Sequence, residues 1–189
     1  MKIGIFGGCF NPPHKMHFKI AEELIMKKYL DKVIFVPTGN FYKKKDLIEG
    51  EKRVDMLKIL TKSKRNLDVS LYEVQNISNT AKTLDYFKKI YPNDEIYFIC
   101  GCDNLEELDT WNNYKYILDT YHILVIKRDG IDIDKLLDKY KSKNIIVTDM
   151  VEEDVSSTVI RKLIREKSLE VFKYIDKKIY KYIMQNELY

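Results

Sequence analysis

Long apolar runs are what this 189-residue sequence most clearly lacks. The longest, such as IYFIC and YHILVI, fall far short of the roughly 20 residues that a bilayer-crossing helix needs, and the N-terminus carries no h-region or cleavage site of a signal peptide. A membrane span is excluded and a cytoplasmic protein is expected. Cysteine is scarce as well: Cys9, Cys100 and Cys102 are odd in number and lack a secretory context, which argues against a disulfide framework. The CGC spacing has no second ligand pair, so no metal held by protein side chains is expected. Seven glycines and four prolines are too few and too scattered for a linker, a repeat or a low-complexity tract. The net charge is +4, modest overall but unevenly placed. Between Lys43 and Arg65 nine Lys and Arg face four Asp and Glu. That run suits a solvated helix face or a rim that attracts polyphosphate, and alone it does not predict a nucleic-acid partner.

What is present is a globular composition, 45% hydrophobic, long enough to bury a full core in one domain. Short β-branched runs alternate with stretches of helical period. Strands are expected near Lys2 to Phe6, Lys32 to Val36, Leu67 to Tyr72, Glu95 to Cys100, His122 to Ile126 and Asn144 to Val147. Helices are expected over His17 to Tyr29, Glu51 to Lys62, Ala81 to Tyr91, Tyr114 to Asp119 and Asp132 to Tyr140. After Val155 only helical stretches follow. Repeated βα units need right-handed crossovers between parallel neighbours, so the fold class is α/β, a Rossmann-like doubly wound parallel sheet with a helical C-terminal piece over 156–189. Ligands of such sheets bind at the carboxyl ends of the strands, where the strand order reverses.

The stretch GGCFNPPHKMH follows the first strand. Gly7 and Gly8 permit a tight turn and close approach of a ligand to the backbone. Phe10, Asn11 and the two prolines lead into a helix start, where proline is tolerated because the first amides have no intrahelical partner. His14 and His17 follow at i and i+3, on one face of the first turn. A helix start exposes free amides and the positive end of the dipole, so this is an anion site with two imidazoles added. Much later, VSSTVIRK offers Ser156, Ser157 and Thr158 as a cap and as hydroxyl donors, with Arg161 as a planar cationic fork.

FGGCFNPPHKMH resembles the (T/H)xGH signature of nucleotidylyltransferases, and VSSTVIRK resembles the ISSTxIR motif of the same superfamily. Within it, the chain is similar to bacterial nicotinate mononucleotide adenylyltransferases over nearly its whole length. VPTGNFYKKK sits where that family has VPxxxPPHK, EKRVDML resembles its RxxM helix, GCDNLEELDTWNNYKYIL its GxDxxxxxxxW segment, and YIMQNELY its YIxxxxLY ending. The chain departs from the family at Met16, at the loop Phe41, Tyr42, Lys43, Lys44, and over Ser78 to Thr83, where SNTAKT stands for SYTxDT.

The resemblance implies a single nucleotidylyltransferase domain over 1–189 and transfer of AMP from ATP to nicotinate mononucleotide with release of pyrophosphate, in NAD biosynthesis. It assigns His14, His17, Lys44 and Arg161 to the triphosphate, and Gly7, Gly8, Phe10, Asn11, Gly101, Asp103, Ser156, Ser157 and Thr158 to the nucleotide. Mg2+ is expected on the ATP phosphates, a hard cation that takes few protein ligands. Trp111 is expected to stack on the acceptor ring, with Asn79, Thr80 and Lys82 at its carboxyl or amide; an inward Lys82 would favour the acid. Thr80 serves equally well as a helix cap and Asp103 as a capping residue. Another enzyme of the superfamily, acting on nicotinamide mononucleotide, pantetheine phosphate or a cytidylyl acceptor, and a non-catalytic nucleotide-binding module are the alternatives. The partners are thus ATP and a pyridine mononucleotide, without nucleic acid or membrane, and a homo-oligomer is left open.

Overall fold

The structure, a computed structural model, describes residues 1–152 and 156–189. Six strands form it: β1 (Lys2–Gly8), β2 (Lys32–Pro37), β3 (Leu67–Val69), β4 (Glu95–Gly101), β5 (His122–Arg128) and β6 (Ile145–Glu152). They run in the order β3-β2-β1-β4-β5-β6, and every pairing is parallel. The nine α-helices among the described residues are α1 (Lys15–Met26), α2 (Gly50–Thr61), α3 (Tyr72–Gln75), α4 (Thr80–Ile90), α5 (Cys102–Glu106), α6 (Tyr114–Thr120), α7 (Ile133–Tyr140), α8 (Ser157–Arg165) and α9 (Lys177–Gln185).

Alternation along each strand builds two cores. Ile3 and Ile5 of β1, with Ile123 and Val125 of β5, pack with Leu84, Leu105 and Ile117 on one face. Phe6, Leu124 and Ile126 point the other way, onto Leu24, Met56, Ile160 and Ile179. Both faces of a parallel sheet are covered by crossover helices, which is why its strands read as nearly continuous apolar runs. Leu24 is fully buried, and truncating it to alanine is expected to destabilise by about 2–5 kcal/mol.

The chain leaves β1 toward β2 and β3, then returns to the opposite side of β1 to lay down β4. Phe6 therefore sits in register with Phe35 on one side and Ile99 on the other. The carboxyl ends of β1 and β4 are adjacent where the crossover direction reverses, and a crevice opens there.

Several boundaries differ from expectation, and β1, β5 and β6 each run on past their expected ends to Gly8, Arg128 and Glu152. β3 stops at Val69 because Ser70 Oγ accepts from the Tyr72 amide at 3.1 Å and turns the chain into α3. The first helix begins at Lys15, which makes His14 its N-cap rather than a residue of the first turn, and it ends at Met26, ahead of the left-handed Lys28 (φ 64). The short α5 follows β4 directly. Its Cys102 and the β4 residue Cys100 are buried, and burial pushes both thiols up, so they serve as small core residues. Val155, the first residue of the VSSTVIRK match, lies outside the described residues.

Candidate active site

Gly7 and Gly8 close β1 in extended backbone and do not make the turn expected of them. Phe10 makes it instead, at φ 47. A left-handed phenylalanine is unfavourable, and packing holds it: its ring is 2% exposed and stands edge-on to Phe6 at 5.7 Å, Phe35 at 5.6 Å and His17 at 4.8 Å. Gly8 suits this arrangement, since a Cβ there would lie 3.0 Å from the Phe10 ring and the ring would have to shift. Beneath the loop, the fully buried Arg53 of α2 donates to the carbonyls of Ile48 at 2.9 Å, Cys9 at 3.0 Å and Thr38 at 2.7 Å. Buried carbonyls need donors, and one rigid guanidinium serves three of them.

Asn11 is also buried, and it joins distant parts of the chain. Its side-chain amide donates to Asp46 O at 2.7 Å, while its Oδ1 accepts from the Tyr189 hydroxyl at 2.8 Å. Its own carbonyl accepts from Arg161 Nη1 at 3.0 Å. The histidine loop, the loop that carries Lys44 and the end of the sequence thus meet at one residue.

His14 and His17 lie ring over ring, 3.6 Å between centroids and 26° apart in plane. The His14 amide donates to His17 Nδ1 at 3.1 Å. With Nδ1 acting as acceptor, a neutral His17 carries its proton on Nε2. Burial pulls the His14 pKa down to about 4. Burial, and then the neighbouring His14, hold His17 well below the ordinary histidine range. At neutral pH the pair is a set of uncharged hydrogen-bond groups, and positive charge must come from elsewhere.

Two cations are near. Lys44 Nζ lies 3.8 Å from Cys9 Sγ, and both residues line the crevice. Arg161 on α8 is buried and bonded within the protein, to the Asn11 carbonyl and, through Nη2, to Thr158 Oγ1 at 3.2 Å. Ser156 caps α8 by accepting from the Thr158 amide at 3.2 Å, as a serine at that position should. The second motif is therefore tied to the first by a hydrogen bond across 150 residues of sequence.

The crevice itself is a cavity of about 720 Å³. Gly7, Gly8, His17 and Lys44 line it on one side, with Gly101 and Asp103 at the end of β4. A Cβ on Gly7 would meet nothing closer than Phe98 at 3.8 Å, so the missing side chain is open crevice. Asp103 is paired with Arg128 of β5 at 3.5 Å. Trp111 lines the cavity half-buried, edge-on to Phe98 at 5.8 Å. On the opposite wall stand Glu73, Ser78, Asn79, Thr80 and Thr83. His14, Phe10, Asn11, Ser156, Ser157, Thr158 and Arg161 lie behind or beside this lining, not in it.

Two expectations for that wall change. The cap of α4 is Asn79, whose Oδ1 accepts from the Lys82 amide at 3.1 Å, so the Thr80 hydroxyl is not committed to capping. Lys82 is exposed and outside the lining. The third position of the helix carries its side chain outward, and with it goes the argument for an inward lysine that would select an acid.

The cytidylyltransferase-like family profile matches residues 5–163. The probable nicotinate-nucleotide adenylyltransferase of Endomicrobium trichonymphae is 40% identical, covering 100% of this chain and 98% of that protein. Its namesake in Clostridium acetobutylicum is 36% identical over the same shares. The chain belongs to the nicotinate-nucleotide adenylyltransferase family. The fold agrees: a Plasmodium falciparum nicotinic acid mononucleotide adenylyltransferase complexed with NaAD superposes with a TM-score of 0.82 at 21% identity, covering 99% of this chain and 96% of that one. A second structure of the same enzyme, complexed with APC, gives 0.80 at 20% identity.

Within that family background, Glu73 and Arg128 lie outside every stretch read from the sequence, while Arg53, Ser78, Thr83 and Tyr189 lie inside matched stretches that had been given no role for these residues singly. Arg53 left a signal, being a cation in the same helical stripe as Met56, Leu57 and Leu60. Glu73 left none, because α3 is four residues long and has no periodicity to read. Among the described residues no helix is long and apolar enough to cross a membrane.

Proposed function

We propose that this chain moves AMP from ATP to nicotinate mononucleotide and releases pyrophosphate. The observation that carries the reading is the junction at Asn11, where the histidine loop, the Lys44 loop and the Arg161 helix are joined beside a crevice with an aromatic and hydroxyl-bearing far wall. In this reading a phosphate oxygen of the acceptor attacks the α-phosphorus of ATP, the bond from that phosphorus to the β-phosphate oxygen breaks, and the electron pair leaves with pyrophosphate. No enzyme nucleophile is required. The protein positions the two substrates and steadies the charge that develops.

Each residue then has a role. His17 donates from Nε2 to a phosphate oxygen, and the stacked His14 orients it. Lys44 supplies a mobile charge from the rim. Arg161 acts from behind the loop: it holds the Asn11 carbonyl and adds a cation near the anion site. Gly7, Gly8 and Gly101 leave room for the nucleotide, and the α8 start with Ser156, Ser157 and Thr158 faces the phosphates. Asp103 and Thr80 serve as polar contacts, and Trp111 stacks on the pyridine ring. Among the described residues no group of three or more His, Cys, Asp or Glu is placed to hold a metal. We take Mg2+ as part of the substrate, carried in on the triphosphate, where it would neutralise phosphate charge. We read 1–189 as one transferase unit.

The test is pyrophosphate release from ATP with nicotinate mononucleotide, nicotinamide mononucleotide or phosphopantetheine as acceptor. The pyridine acceptors should turn over and phosphopantetheine should not; the reverse pattern overturns the assignment.

A further inference from the structure

Glu73 is a carboxyl that the mechanism above does not use, yet it lines the crevice together with Ser78 and Thr83. The three form a chain: Thr83 Oγ1 lies 2.6 Å from Glu73 Oε1 and 2.9 Å from Ser78 Oγ. Thr83 is buried and has one proton to give. We infer that Glu73 is a positioning residue that sets, through Thr83, whether Ser78 offers the acceptor substrate a proton or a lone pair. The inference rests on the pyridine-mononucleotide reading.

With Glu73 ionised, Thr83 must donate to the carboxylate. Ser78 then turns its proton inward, to Thr83 or to the Asn79 carbonyl at 3.3 Å, and shows the crevice only lone pairs. Such a wall accepts from an amide NH2 and repels a carboxylate. With Glu73 neutral, its own O–H donates to Thr83, Thr83 donates to Ser78, and Ser78 donates into the crevice, where a carboxylate can accept. No bond between heavy atoms changes; the hydroxyl protons of Thr83 and Ser78 reorient and Glu73 takes one proton from solvent. Taking up an acid acceptor is thus coupled to protonation of Glu73, whereas taking up the amide is not.

The surroundings favour the neutral form. Burial raises the Glu73 pKa, opposed by the Thr83 hydroxyl. From the end of β2 come Thr38, which carries no charge, and Gly39, packed on the Glu73 backbone, and from the following loop Tyr42 and Lys44. α4 contributes Lys82, on its exposed side. The far wall contributes Glu107 and the Asp103–Arg128 pair.

The experiment is the ratio of kcat/KM for nicotinate mononucleotide to that for nicotinamide mononucleotide, measured from pH 5.5 to 9. ATP, the histidines and the acceptor phosphate affect both substrates alike and cancel in the ratio. The ratio is expected to fall about tenfold per pH unit above the Glu73 pKa. Glu73→Gln, whose amide can donate or accept without titrating, should make it flat, and Thr83→Val should do the same by cutting the chain. A flat ratio in the unaltered protein, or an undiminished slope in Glu73→Gln, overturns the inference while leaving the function intact. Absence of turnover with both acceptors overturns the function, and this inference with it.

Discussion

The two walls of the crevice are built differently. The wall proposed for the phosphates comes from contiguous sequence: Gly7 to His17 form one strand end, one turn and one helix start, and fixed partners lock them from behind. Arg53 spans three carbonyls, and Asn11 is bonded through its side-chain amide, its Oδ1 and its carbonyl. The wall proposed for the acceptor is assembled from α3, the α4 start and the segment that carries Trp111, with half-buried Glu73, Ser78, Asn79, Thr80 and Trp111 around a buried Thr83. A wall held by its own loop is preorganised before substrate arrives, whereas a wall of separate pieces owes its selectivity to individual side chains. Substitutions on the first should therefore change turnover, and those on the second should change which acceptor is used.

The largest effect is expected at His17. His17→Ala should lower kcat by about 100-fold, the scale for loss of one preorganised donor, while the circular dichroism spectrum stays that of the parent. An unchanged kcat in a folded variant would remove the imidazole from the mechanism.

Next in size is the acid behaviour of the histidine pair. A histidine held neutral at a folded pKa of about 4, against an unfolded value near 6.5, leaves stability intact above that value and removes it as pH falls toward 4. The loss is about 1.4 kcal/mol per pH unit within the window. Urea unfolding at pH 7, 6 and 5 should show this slope, and His14→Gln should reduce it; a slope unaffected by His14→Gln would assign the acid sensitivity to other groups.

On the acceptor wall the effects are smaller and more selective. Trp111→Ala should raise KM for the acceptor about tenfold, near 1.4 kcal/mol, and leave KM for ATP close to its starting value. A rise for ATP instead would put the indole on the nucleotide side. Lys82→Ala should change the preference between acid and amide acceptors by no more than about twofold, as for an exposed surface residue; a larger change would bring the side chain back to the crevice.

Much of the fold was legible because each strand is an apolar run and each long helix has an apolar stripe. All six strands and the five longer helices before Val155 were readable, with shifts at their ends. β3 was overextended because the stop is a single serine hydroxyl, Ser70, that accepts from the Tyr72 amide and turns the chain into α3. α5 was invisible because five residues give no period. In the site, the histidines and SSTVIR could be found because each motif is local. The bond that joins them, Arg161 to Asn11, could not be read, since it links residues that only the sheet brings together. Lys82 was misplaced for a similar reason: its direction depends on which residue caps α4, and Asn79 rather than Thr80 does so.

The central claim is one-step attack at the α-phosphorus between these two walls. The most direct test follows the label from ATP carrying it at the α- or at the γ-phosphate, with nicotinate mononucleotide as acceptor. One-step transfer puts α-label in a dinucleotide product, γ-label in pyrophosphate and none on the denatured protein. Recovery of γ-label in the acceptor, or of α-label bound covalently to the protein, would contradict it.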